Sequence, residues 1–199
     1  MSKILVVIGS ARPGRVADKV LGYIQNDLSK RDGVEVTVAD LAELNLPFFN
    51  NENSPLSPDY VITDPQVQAW SELVSSNDSI VFITPEYNHT LSAIQKNAID
   101  SLGADWVNKP VTAVAYGWSG GSLAVATLHE VLENLKADHK HDIAQLAFMK
   151  DLNPDGSVLD EASVTAQIAA TINAIVSKTS SYSEYLHLFN LQRLSDFST

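Results

Sequence analysis

The sequence predicts a three-layer, doubly wound α/β fold, with a five-stranded parallel sheet in the order 2-1-3-4-5 between two layers of helices. Three observations point there. Strand-length apolar runs alternate with stretches of helical periodicity five times along the chain. The first run, residues 3–8, is continuously apolar after Lys3, the mark of a strand buried on both faces. The 199 residues contain no cysteine, so a core rather than disulfides must hold the chain, and this length suffices to bury one.

Taken in order, residues 3–8 form the first strand. From 16 to 31 the apolar residues Val16, Val20, Leu21, Ile24 and Leu28 fall at helical spacing, and Gly33 supplies a stop. Residues 34–38 alternate as a second strand. The stretch 44–63 is irregular, with Pro47, Pro55 and Pro58. Asp64 followed by Pro65 is a helix entrance, an N-cap with proline in the first turn. That helix carries Val67, Trp70, Leu73 and Val74 to about Ser76. Residues 80–84 are the third strand, 91–102 a helix closed by Gly103, 110–116 the fourth strand and 122–136 the fourth helix. Residues 143–149 make the fifth and weakest strand, and 161–178 the fifth helix. One domain over 1–179 follows. The tail 180–199, with Tyr182, Tyr185, Leu186 and Phe189, suits a short amphipathic helix packed on the body or on a second subunit.

Five βα units with right-handed crossovers wind in the order given above, and this places the site. Strands 1 and 3 become neighbours at the switch point, with strand 4 beside them. Ligands bind beyond the carboxyl ends of the strands there. Three loops should therefore converge: 10–15, 85–90 and 117–121.

The first loop reads Gly9-Ser-Ala-Arg-Pro-Gly-Arg15, between a buried strand and a helix start. Backbone N–H groups and the positive helix end face an anion there. Ser10 adds a hydroxyl; Arg12 and Arg15 add guanidinium forks suited to phosphate. The Gly9-to-Gly14 spacing imitates a Walker A loop, but Arg15 and Val16 stand where Lys and the Mg²⁺-binding hydroxyl are needed. The second loop, Pro85-Glu86-Tyr87-Asn88-His89-Thr90, sets an aromatic, an amide and a carboxylate at a strand end, a set able to receive a flat heteroatom ring. The third, Gly117-Trp118-Ser119-Gly120-Gly121, has two readings. It matches G-x-S-x-G in nucleophile-elbow context, with Asp142 or Asp160 and His187 following in triad order. It also reads as a glycine turn whose amides approach a ligand closely.

Two further patterns carry bland readings. Asp151-Leu-Asn-Pro-Asp155-Gly156 opens like an EF-hand loop, yet Ala162 stands where the bidentate Glu belongs, so a turn is expected. His139 and His141 form an H-x-H pair without other nearby ligands in sequence.

Charge narrows the function classes. Thirteen Lys and Arg stand against 24 Asp and Glu, a formal net charge of −11. That balance argues against nucleic acid and against an anionic membrane surface as partners. The apolar run at 4–8 is too short for a signal-peptide core or a membrane span, so a soluble, cytoplasmic protein is expected. Of four arginines, two lie in the first loop.

Together the loops resemble a specific family. Gly-Ser-x-Arg-x-x-Arg at 9–15, Leu-Pro at 46–47, Trp-Ser at 70–71, Pro-Glu-Tyr-Asn at 85–88, Lys-Asn-Ala-Ile-Asp at 96–100 and the glycine loop at 117–121 are similar to the NADPH-dependent FMN reductases and quinone reductases. The similarity spans about residues 3–178 and implies a flavodoxin-like fold. It implies that Ser10, Arg12 and Arg15, with the adjoining Val16, hold the FMN phosphate. Pro85, Glu86, Tyr87 and Asn88 would line the isoalloxazine, largely through backbone groups. Gly117, Ser119, Gly120 and Gly121 would approach the ring, with Trp118 near the nicotinamide or quinone. Members often carry Ser and Pro where this chain has Thr90 and Ser92. The resemblance further implies hydride transfer from NADPH or NADH through FMN to a quinone-like or azo acceptor, and a homodimer or tetramer. A non-enzymatic FMN carrier on the same fold, and a serine hydrolase using Ser119, are the other readings.

Overall fold

The computed structural model describes residues 1–176; the tail expectation for 180–199 lies outside them. Seven-residue β1 (Ser2–Ile8), β2 (Val34–Asp40) and β3 (Ser79–Pro85) join β4 (Pro110–Gly117) in one sheet. The order is β2-β1-β3-β4, all parallel. The edge beside β4 departs from expectation. The fifth strand is two pieces, β5 (Asp138–His139) and β6 (Ala144–Ala147), both parallel to β4. Val111 pairs with His139 and Val114 with Ala144, so the edge advances five residues where β4 advances three. Two extra residues therefore bulge between the pieces, a usual device at a sheet edge.

The alternation of each strand builds two cores. Leu5, Val7, Ile80, Phe82, Val111 and Ala113 face one way, against α3 (Pro65–Ser76), α4 (Ala93–Asp100) and α5 (Ser122–Asn134). Ile4, Val6, Ile8, Val81, Ile83 and Val114 face the other way, against α1 (Ala17–Leu28) and the helical residues 161–176. This is the expected doubly wound arrangement. The helix ends follow from local chemistry. Asp64 caps α3, its side chain accepting from the N–H of Gln66 and Val67, with Pro65 in the first turn. A one-turn helix, α2 (Leu41–Leu44), precedes the irregular stretch because Asp40 accepts from the Ala42 N–H. A 3-10 turn at Ala104–Trp106 follows α4 and buries Trp106 against Phe82 and Trp70.

The EF-hand-like stretch is a turn, and its first acid is structural. The buried Asp151 carboxylate accepts from the Ala147 N–H at 2.9 Å, the Ser163 hydroxyl at 2.9 Å and the Gln167 amide at 3.1 Å. It thereby ties the end of β6 to the last helix. Among the described residues no helix is long and apolar enough to cross a membrane.

Candidate functional site

The three predicted loops meet because their strands are neighbours: Ile8 pairs with Ile83, and Pro85 with Tyr116. Backbone bonds continue the pairing beyond the strands, from Gly9 N–H to Ile83 O at 3.0 Å and from Glu86 N–H to Tyr116 O at 3.2 Å. Ser92 caps α4 and donates its hydroxyl to Gly9 O, so it joins this helix to the first loop.

In the first loop the two arginines separate in role. Arg12 is exposed, and its guanidinium has no partner among the described residues. Arg15 is engaged on every side. Its Nε donates to Asp18 at 2.8 Å, and Nη1 donates to Ser10 O at 2.6 Å and to Asp40 at 2.8 Å. Nη2 completes a fork on Asp40. Arg15 holds the Asp40 carboxyl below the usual carboxylate range, and Asp40 in turn raises the Arg15 guanidinium. Of the two arginines expected at the phosphate, Arg12 is open to solvent and Arg15 braces the loop. Asp40 was legible in principle: it ends β2 opposite Ile8, beside the loop. Ser10 is buried, its hydroxyl 2.7 Å from the Tyr87 hydroxyl. Helix α1 starts at Val16 and Ala17 without a side-chain cap. Below the loop, burial pushes the Tyr116 phenol up to about 12, partly opposed by a hydrogen bond from Ser10.

The second loop is a tight hairpin. Tyr87 and Thr90 exchange backbone bonds at 3.0 and 3.1 Å, and the two residues between them, Asn88 and His89, both have positive φ. Two such residues define a type I′ turn, which Asn tolerates and His resists. Asn88 and His89 are exposed at its tip, and Pro85 is buried at its base.

Glu86 and Tyr87 reach opposite neighbours. Tyr87 meets Ser10 of the first loop. The Glu86 carboxylate, 9% exposed, accepts from the Ser119 hydroxyl at 3.2 Å and from the Leu123 N–H at 3.0 Å. It crosses Gly117 so closely that a Cβ there would lie 3.2 Å from the Glu86 Cβ. The carboxylate also sits at the N-terminus of α5. The sequence did not single out this use of Glu86; its side chain turns to the protein rather than leaving only backbone for a ligand. In the third loop Gly120 and Gly121 have positive φ, as the glycine-turn reading requires. Trp118 is 72% exposed and meets Phe148 edge-on at 5.6 Å.

The elbow reading finds no support around Ser119. Its hydroxyl donates to Glu86; among the described histidines the one near this pair, His89, approaches Glu86 at 3.8 Å. Asp160 instead caps the start of the last helix at the Ser163 N–H, and His187 lies outside the described residues. Elsewhere, His139 and His141 join His129 of α5, with ring centroids 5.0 to 5.1 Å apart. Burial, with its two neighbours, lowers the His129 pKa. Among the described residues no set of three His, Cys, Asp or Glu side chains is arranged to hold a metal ion.

Fold and site define a flavodoxin-like protein: a 2-1-3-4 parallel sheet whose switch point brings the 10–15, 85–90 and 117–121 loops together. A solved flavoenzyme NAD(P)H:(acceptor) oxidoreductase from Paracoccus denitrificans, FerB, superposes with TM-score 0.67 at 24% identity, over 89% of this chain and 98% of that one. The family model for NADPH-dependent FMN reductases matches residues 2–146. The NAD(P)H-dependent FMN reductase LOT6 of Saccharomyces cerevisiae is 31% identical over 175 residues, 80% of this chain and 91% of the relative. An NADPH azoreductase of a Bacillus species is 28% identical over 90% of this chain and 92% of its own. The chain belongs to the NADPH-dependent FMN reductase family.

Proposed function

We propose that the protein is an FMN-dependent NAD(P)H oxidoreductase that reduces quinone-like or azo acceptors. The observation carrying this reading is the start of α1: a helix N-terminus without a side-chain cap, beside an exposed Arg12 that has no partner among the described residues, on a loop braced by Arg15. That donor set fits a terminal phosphate, which wants N–H groups, a cation and a rigid frame. Arg12 would meet the phosphate directly, and Ser10 would lie at its base. Arg15 would set the loop's shape through Ser10 O. Pro85, Tyr87, Asn88 and the 117–121 backbone would flank the ring, and Val16 would close the helix side. Bound FMN supplies two-electron chemistry between a nicotinamide and an acceptor. The protein's share is then position and exclusion of water, so no catalytic acid–base pair is needed. The exposed Trp118, on the third loop, would meet a flat donor or acceptor. The family resemblance extends the proposal to a homodimer or tetramer.

The test is a visible spectrum of the purified protein with FMN, followed by NADPH and NADH oxidation with and without a quinone. A bound-flavin spectrum and acceptor-dependent oxidation are expected. A colourless protein that oxidises neither nucleotide would sink the proposal. Flavin binding without turnover would favour a carrier, and labelling of Ser119 by a fluorophosphonate would revive the hydrolase.

A further inference from the structure

We propose that Glu86 is a positioning residue for the nicotinamide side of the site: its carboxylate latches the 117–121 loop to the 85–90 hairpin and holds it in the geometry that receives the donor. The proposal rests on the function just stated. The Glu86 side chain is only 9% exposed, so its carboxylate relies on neighbouring donors for much of the stabilisation that water would supply. Here its partners are the Ser119 hydroxyl, at 3.2 Å from each oxygen, and the Leu123 N–H at 3.0 Å. Both belong to the third loop and the first turn of α5. The positive end of α5 adds to them. Among the described residues the group that pairs with it as a potential cation is the His89 ring, 80% exposed and 3.8 Å away.

Glu86 is thus satisfied only while the third loop keeps this conformation. If the loop swings away, a nearly buried anion loses its donors together. The coupling runs both ways, so the carboxylate biases the loop toward the closed arrangement. Gly117 permits the approach, since the Glu86 side chain lies across it. The phosphate loop is outside this coupling: it is braced separately, by Arg15 on Asp40 and Ser10 O. Loss of the latch should therefore harm donor binding more than flavin affinity, because the flavin keeps its separately braced phosphate loop.

Glu86→Ala should raise the NAD(P)H KM about tenfold, equivalent to about 1.4 kcal/mol, while the FMN Kd changes less than about threefold. Glu86→Gln, whose amide oxygen can still accept from Leu123, should restore most of the KM. Adding Ser119→Ala to Glu86→Ala should have little further effect, because the two act as one unit. In the flavin-free chain, Glu86→Ala should speed amide exchange across 117–123 and leave 10–16 unchanged. If Glu86→Ala does not fold, Glu86→Asp carries the test, because it keeps the charge but withdraws it by one methylene. It should raise KM by about threefold and loosen the same amides. An unchanged KM, a parallel rise of KM and FMN Kd, or unaltered exchange across 117–123 in the variant used would each overturn the latch. A wild-type chain that neither binds FMN nor oxidises NAD(P)H would instead overturn the functional reading.

Discussion

The loops after β1 and β4 share a plan and differ in electrostatics. Each leaves a buried strand, turns through glycine and enters a helix at the carboxyl edge of the sheet. The first leaves the α1 N-terminus without a side-chain cap and sets beside it an arginine with no partner among the described residues. The second brings an internal anion, Glu86, to the α5 N-terminus. An exogenous anion is favoured at the first and repelled at the second. Glycine spacing alone cannot tell a receptor from a self-neutralised turn; the neighbouring loop decides.

Substitutions can break this contrast, and backbone changes should act most strongly. Gly121 has φ +76, and a Cβ there would lie 2.9 Å from Ala115 Cβ and 3.0 Å from Tyr116 N. Gly121→Ala should therefore destabilise by about 3–5 kcal/mol, combining a left-handed conformation with overpacking. At Gly14, φ is +62 but nothing lies within 4 Å. Gly14→Ala should cost about 1 kcal/mol, since only the conformational term remains. Urea unfolding of both variants checks this. Equal losses would mean that the first loop is packed as tightly as the second.

The arginines come next. Arg15→Ala strips the fork from the mostly buried Asp40 and frees Ser10 O, and should destabilise by about 2–3 kcal/mol. The pH dependence follows from Asp40, whose pKa is lowered in the folded chain, chiefly by Arg15. Its contribution is present above the ordinary carboxylate pKa and is lost as pH falls through the depressed value. The acid-side loss should shrink in Arg15→Ala. By contrast, Arg12→Ala should leave the melt unchanged and weaken FMN binding by about 10- to 100-fold, the worth of one charge-assisted hydrogen bond. Lys150→Ala is the control. If Arg12→Ala and Lys150→Ala behave alike, the phosphate is not held at this loop.

Much of this was legible in sequence. The apolar run at 3–8, the Asp64–Pro65 entrance and the spacing of Val16, Val20, Ile24 and Leu28 are local signals, and the elements appear where they point. The broken edge strand was not legible, because an edge pairs on one side only and its bulge is set by β4 across the gap. In the site, the convergence of the three loops was legible and the contacts of Arg15 and Glu86 were not. Arg15 reads as a free cation until the 2-1 pairing brings Asp40 alongside. The Glu86 side chain has no partner in its own loop to read from sequence; the 3-4 pairing brings Ser119 and Leu123 within reach. Local periodicity carries the element; a partner distant in sequence carries the role.

The smallest effect at neutral pH lies beneath the first loop, at Tyr116. The nearby Ser10 hydroxyl and Ala17 N–H both favour the phenolate. Burial opposes them and wins, because a phenolate under the loop would lose its hydration, and the pKa stands at about 12. Unfolded tyrosine ionises near 10. The native chain therefore keeps a proton that the unfolded chain sheds, so the stabilisation is complete below pH 10 and is lost as pH rises toward 12. The difference in stability between wild type and Tyr116→Phe should be flat from pH 7 to 9. It should then close at up to about 1.4 kcal/mol per pH unit between 10 and 12. Tyr23 and Tyr60, which also titrate high, cancel in that difference. Urea midpoints at half-unit steps measure it. A difference that stays flat to pH 11.5 would mean that water reaches the phenol, and that the floor of the anion loop is as wet as its rim.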